Sequence, residues 1–306
     1  MENQPSNFQV QTNSKPEIRS GEIARDEFLL SGLDQLKQAL LVMAPLLGLL
    51  WPEETKAQSV LTYNEENVLQ FLYQMALIQV NFYTPSNSPI LSNSLNEYAA
   101  FQNILAQETS QMNFLGNTIT DLGYKTLGGN LSFNFQASFP NYNTNYEVFL
   151  IAAQFIEDTV NRAYLGQIQY LAGNKSLINL ISGLNSMHSR HSAFIRQVRS
   201  LPIGGGYSQT SINNGQSFPL KPWVTWKDLT AEGNSPSTNY TNLLNEAATA
   251  YSGEDNTTQG QVPLTNANPI ISPDIASESF DQPLSTSASS NLLDSLLSST
   301  TPITFQ

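Results

Sequence analysis

SLINLISGLNSMHSRHSAFIRQVR, residues 176–199, places Leu177, Ile181, Leu184, His188, His191, Ile195 and Val198 at alternating steps of four and three. Those steps put all seven side chains on one face of an α-helix and the polar residues between them on the other. Three upstream segments repeat the pattern. Over roughly 64–83 the stripe is Val68, Leu72, Met75, Gln79 and Phe82. Over roughly 95–122 it is Phe101, Ile104, Glu108, Gln111 and Leu115, and over roughly 146–172 it is Leu150, Ala153, Glu157, Val160 and Tyr164. Thr62 with Glu65 offers the first segment a capping box. Four amphipathic helices predict an all-α fold, a four-helix bundle over 61–200. The short turn at 172–175 makes the last two helices antiparallel neighbours. About twenty residues containing Gly128-Gly129 separate the second and third, which is the length of a crossover.

Outside the bundle the pattern fades. Residues 1–24 are polar, hold Pro5 and Pro16, and read as a disordered leader. Within 25–60, Ala39–Trp51 is apolar throughout and follows Lys37. That stretch reads either as an extra N-terminal helix packed on the bundle or as an export-signal-like segment, and it is the one place where membrane association is expected. From 201 to 306 the helical pattern stops, and Gly204–Gly206, Asn213-Asn214-Gly215 and scattered prolines predict a long irregular C-terminal extension wrapping the bundle. Leu292–Leu297 is expected to form a short terminal helix, and Trp223 and Trp226 to anchor the extension by burying aromatic area.

Composition removes several function classes. Charged residues are 12% of the 306, about half the usual share. Polarity is carried instead by 54 Asn and Gln. Thirteen basic against twenty-five acidic residues leave a net charge of −12, and no Lys or Arg follows Lys227. A chain without a basic stripe is a poor partner for nucleic acid. With no cysteine, disulfides, thiolate zinc sites, iron–sulfur clusters and Cys nucleophiles are all excluded. No apolar run reaches the ~18 residues of an ordinary spanning helix.

The chemistry sits inside the stripes. Every helix carries a polar residue near its middle, where a bundle ordinarily places Leu or Ile: Gln79 on the first, Glu108 and Gln111 on the second, Glu157 on the third, His188 and His191 on the fourth. The two pairs are each spaced i, i+3 on one face. Dinuclear-metal carboxylate bundles use that distribution, one Glu from each of two helices and Glu-x-x-His from each of the others. Tyr164 shares the third stripe and reads as core filling; Asp158 lies one position off it and reads as facing solvent or a neighbouring helix end.

ALIQVNFY at 76–83, QETSQMNFL at 107–115, AQFIEDTVNRAYLG at 153–166 and HSRHSAFIR at 188–196 resemble the four helices of the bacterial ferritin-like domain proteins related to the desiccation-associated group. The resemblance continues through Lys221-Pro222-Trp223, YSGEDNTTQ at 251–259 and SFDQPL at 279–284, and Met43–Leu50 is similar to the segment after that family's twin-arginine signal. It implies a ferritin-like bundle whose metal residues would be Glu at 79, Glu and His at 108 and 111, Glu at 157, and Glu and His at 188 and 191. Glu108, Glu157 and His191 match; Gln79, Gln111 and His188 depart. Two carboxylates balance one divalent cation where four would balance two, so a complete di-iron centre is not expected.

Two readings follow. One is a structural or stress-associated ferritin-like protein, non-catalytic, its polar residues bonded to each other without a cofactor. The other is a protein holding one divalent ion (Fe, Mn or Zn) on Glu108, Glu157, His188 and His191, with residual redox chemistry. The resemblance further implies an extracytoplasmic location, although Arg25 is alone where a twin-arginine signal has two, which leaves a cytoplasmic location open. It also implies pairing with another ferritin-like chain or with a second copy.

Overall fold

The computed structural model describes residues 63–91, 97–129, 131–200, 210–213, 216–219, 221–225, 251, 253–259, 262–263 and 272–298, all within one compact unit. The expected leader, the Ala39–Trp51 segment, Thr62, Gly204–Gly206 and Trp226 lie outside the described residues. Four long helices form the bundle: α1 (Tyr63–Tyr83), α2 (Tyr98–Asp121), α4 (Tyr146–Gln167) and α5 (Lys175–Ser200), with a four-residue helix α3 (Phe135–Ser138) in the long connection. The periodic stripes therefore locate all four, to within a few residues at each end. α1 packs chiefly on α2 and α4 on α5, and α4 also meets α1. Among the described residues no helix is long and apolar enough to cross a membrane.

Local chemistry sets the ends. Asn145 caps α4 by accepting from the backbone N–H groups of Glu147 and Val148. Asn174 does the same for α5 through Leu177 N–H at 3.1 Å, while its own amide donates to Glu65 at 2.8 Å. Gly173, at a φ of 108°, supplies the left-handed step of the α4–α5 turn. The long connection is pinned to α1 by one side chain: the Gln70 amide donates to the Lys125 carbonyl and accepts from Leu127 N–H, both at 2.9 Å. Phe82, Tyr83, Phe101, Phe135, Tyr142 and Phe149 close the opposite end of the core, ring against ring.

The extension is less irregular than its sequence suggests. Its described residues form two antiparallel hairpins, β1 (Thr210–Asn213) with β2 (Gln216–Pro219) and β3 (Thr258–Gln259) with β4 (Val262–Pro263), then helices α6 (Pro273–Ser279) and α7 (Thr286–Asp294). Ser272 and Ser285 cap these two helices. The terminal helix thus begins at Thr286, earlier than its apolar residues, because Ser285 caps it, and it ends at Asp294, short of Leu297. Beyond it Phe133 bridges to Leu297, and Asn134 N–H donates to the Leu296 carbonyl at 2.8 Å, joining extension and long connection. Trp223 does not anchor the extension by its ring, which is 42% exposed under Lys221; its carbonyl is held instead by Arg196 at 3.1 Å.

The extension covers the outer face of α4, so that helix is buried on every side except at Tyr146, Glu147, Ile151 and Leu165. Residues 281–284 run along it: Asn161 donates to Asp281, Arg162 to the Gln282 carbonyl, and Leu284 N–H to the Arg162 carbonyl, at 2.8–3.0 Å. Asp158 consequently faces neither solvent nor a helix end. It is 1% exposed, and its partners are Ser192, Arg196 and Tyr251. Gly166 permits the close approach, since a Cβ there would lie 1.8 Å from the Leu284 carbonyl oxygen. In an open helix Gly→Ala gains about 1 kcal/mol. Gly166→Ala is expected to do the reverse and lose about 1–3 kcal/mol, as overpacking does; a melting temperature equal to or above wild type would show that the extension does not lie there.

Candidate metal centre

The central turns of α2, α4 and α5 bring the polar stripe residues together, with Gln79 entering from the last turns of α1. Glu108, Glu157, His188 and His191 each offer one ligand atom, and the four atoms lie within 4.8 Å of one another. None of the four side chains is more than 1% exposed. His191 Nδ1 stands 2.9 Å from Glu108 Oε1 and 3.7 Å from Glu157 Oε2; His188 Nδ1 stands 3.4 and 3.6 Å from the same two oxygens.

The surrounding groups orient these ligands. Tyr83 donates its hydroxyl to Glu157 Oε1 at 2.8 Å, and the Gln79 amide donates to Glu157 Oε2 at 3.0 Å while lying 3.3 Å from His188 Nδ1. His191 Nε2 is 3.0 Å from Gln107 Oε1. An amide oxygen only accepts, so Nε2 carries a hydrogen and Nδ1, facing Glu108, is left to hold either a second proton or a lone pair for an ion. Gln111 is not among the four: its amide donates to the Tyr164 hydroxyl at 2.5 Å. Tyr164 lines the cluster as well as filling core, its ring centre 4.6 Å from that of His188. Gln107 and Tyr83 are absent from the sequence-based set. Tyr83 follows Gln79 by one helical turn, a spacing that marks it as a neighbour, but Gln107 sits beside the stripe and carries no signal of its own.

Gln79 Oε1, both Glu108 oxygens, Gln111 Oε1, His188 Nε2 and His191 Nδ1 are buried without a hydrogen-bond partner. At about 1–3 kcal/mol each, six such atoms would cost about as much as the whole stability of an ordinary domain. A positive charge shared between Glu108 Oε1 and the facing histidine nitrogens would remove part of that cost. One candidate is a proton. Burial opposes charge on His191, but the Glu108 and Glu157 carboxylates outweigh it and raise its pKa to about 9. Burial likewise opposes charge on Glu157, and both imidazoles outweigh it, holding that carboxyl well below its ordinary range.

The other candidate is a metal ion. Donors about 2.0–2.1 Å from a tetrahedral ion are roughly 3.3–3.4 Å from each other, and the four N···O separations here span 2.9–3.7 Å. Two imidazoles and two carboxylates also match one divalent ion in charge. They do not fit a dinuclear centre: two carboxylates leave a pair of divalent ions half neutralised, and Gln79 turns an N–H toward the Glu157 oxygen that a second ion would need.

Residues 64–201 match the family model of the ferritin-like domain, so the bundle is a ferritin-like one. Comparison with curated proteins gives no match to the chain.

In the ion-free state the raised His191 pKa has a definite consequence. Its contribution to stability is complete below the unfolded value of 6.5 and is lost as pH rises through about 9. The contribution of Glu157 has the opposite sign, present above the unfolded 4.5 and lost as pH falls toward its depressed folded value. Chelator-treated protein should therefore melt at falling temperature from pH 6.5 to 9, and His191→Gln should flatten that fall. An unchanged slope in the variant would mean that His191 is not the group titrating.

Proposed function

We propose that the protein is a non-catalytic ferritin-like scaffold that binds a single divalent ion, Zn²⁺ being the best suited, on Glu108, Glu157, His188 and His191. The convergence of one donor atom from each of the four residues, with His191 Nδ1 turned to Glu108 Oε1 and Nε2 engaged by Gln107, carries this reading. A proton would satisfy that one contact, whereas an ion would engage a donor from each of the four residues at once. When bound, the ion would neutralise both carboxylates and cross-link α2, α4 and α5. Closed four-coordinate sites without solvent access are structural, while catalytic ones keep an open position. Gln107, Gln79 and Tyr83 fix the ligand orientations, as outer-shell partners of metal ligands do.

A second reading has its own support. The raised pKa of His191 allows an imidazolium to stand where the ion would, giving a metal-free ferritin-like core.

Elemental analysis of protein purified without chelator separates the two. One equivalent of zinc, iron or manganese is expected in wild type and none in His188→Ala/His191→Ala. Chelation should lower the wild-type melting temperature, since an ion held only by the folded state stabilises it. Absence of metal with an unchanged melting temperature would establish the metal-free core, and two equivalents would contradict the charge count.

A further inference from the structure

The ligand-bearing turns of α4 and α5 have a second set of contacts on their outer side. Glu157 is followed by Asp158 and His191 by Ser192, and successive residues point about 100° apart around a helix. Asp158 accepts from Ser192 Oγ, from Arg196 Nε at 3.2 Å and from Arg196 Nη2, so α4 and α5 are tied at the level of the ligands. The extension completes the tie. Tyr251 donates its hydroxyl to Asp158 Oδ2 at 2.6 Å and receives the Gln154 amide at 3.2 Å, with the Arg196 guanidinium 6.0 Å from its ring centre. Asp158, Arg196 and Tyr251 are all at most 4% exposed. Three residues on, Glu254 pairs with Arg162 at 2.5 Å, more than one turn of α4 away from Asp158.

We propose that Tyr251, Asp158 and Arg196 form a clasp that holds the Glu157 and His191 turns at ligating distance and slows the release of the bound ion. The proposal rests on the single-ion reading of the centre. Its physical basis is leverage. An atom about 6 Å from a helix axis moves roughly 1 Å when the helix turns by about 10°, whereas a metal ligand tolerates about 0.2 Å. With its side chain held by Tyr83 and Gln79, Glu157 is carried out of place when α4 turns or bends, and Asp158, fixed to α5 and to the extension, resists both. Tyr251 is therefore a positioning residue: it touches no ligand atom and acts through Asp158.

The test uses the full chain loaded with Co²⁺, whose visible absorption reports its coordination, and follows transfer of the ion to excess chelator. Tyr251→Phe keeps the ring against Arg196 and removes only the hydroxyl. It is expected to retain one equivalent of Co²⁺ and to release it at least tenfold faster. Tyr170→Phe, at an exposed ring, should match wild type. Glu254→Gln weakens the extension away from the ligands and gives the necessary contrast, lowering the melting temperature with little change in release. Wild-type release from Tyr251→Phe overturns the clasp and leaves the metal centre standing. Release that rises equally in Tyr251→Phe and Glu254→Gln, in step with their melting temperatures, also overturns it by making the extension a general cover. Failure of wild type to take up Co²⁺ removes the single-ion reading itself, and the clasp with it.

Discussion

Glu108 and Glu157 are carboxylates with no exposure to water, set against two imidazoles on the bundle axis, and the centre of the molecule is organised around balancing them. A lone buried carboxylate would take up a proton before it stayed charged without a partner. Here the neighbours supply what an apolar core would not. Tyr83 and Gln79 donate to Glu157, Gln107 fixes the tautomer of His191, and Gln111 with Tyr164 closes the side next to His188. These groups come from all four long helices, so the cluster sets the rotation of each helix about its own axis more tightly than apolar packing alone would. Ridges of Leu and Val tolerate small rotations; hydrogen bonds to a shared carboxylate do not.

α4 shows how far this goes. A bundle helix ordinarily has an apolar face inward and a polar face in water. α4 is polar both toward the axis, at Glu157, and away from it, at Gln154, Asp158, Asn161 and Arg162, and all five side chains are buried. The outward set is satisfied by the extension through Tyr251, Glu254, Asp281 and the backbone of 282 and 284. Arg162 and Arg196 are among the largest fully buried side chains, each held by a carboxyl group and a backbone carbonyl. Removing one partner of such a pair costs about 3–5 kcal/mol, so the described stretches around Tyr251, Glu254 and 281–284 belong to the folded core of the bundle.

That burial also explains what the sequence does and does not make legible. The four long helices and the residues at their centre follow from the three-four stepping, because the stepping records which face meets the other three helices. Asp158 does not follow from it. A polar residue off the stripe looks solvent-facing by periodicity, and the partner that buries it, Tyr251, lies 93 positions further on. Tyr164 is legible as core but not as part of the centre, since its stripe position is shared by both roles. Gln107 is invisible for a related reason: in a chain with 54 amide residues, one more Gln beside a stripe carries no information until its oxygen is seen facing His191. The start of the C-terminal helix is set by a capping serine rather than by the apolar run, and the exposed Trp223 shows that a tryptophan in an extension need not be its anchor.

The amides at 79 and 111 bear directly on how many cations the centre can hold. A carboxylate at 79 would put a third negative charge within hydrogen-bonding distance of Glu157, to be offset by a further proton or a second ion. Gln79 keeps the length and the planar end of that side chain but turns an N–H toward Glu157 Oε2, so a neutral donor does the work of a cation. Gln111 likewise spends its N–H on Tyr164 and brings no charge. Gln79 thus has the shape of a carboxylate side chain without its charge, and Gln111 adds none. With His188 contributing a neutral or protonated ring in place of a further carboxylate, the remaining charge is that of Glu108 and Glu157 alone. One divalent ion, or two imidazolium protons, brings the interior to neutrality; a pair of divalent ions would overshoot it by two units in a region with no water to share the excess.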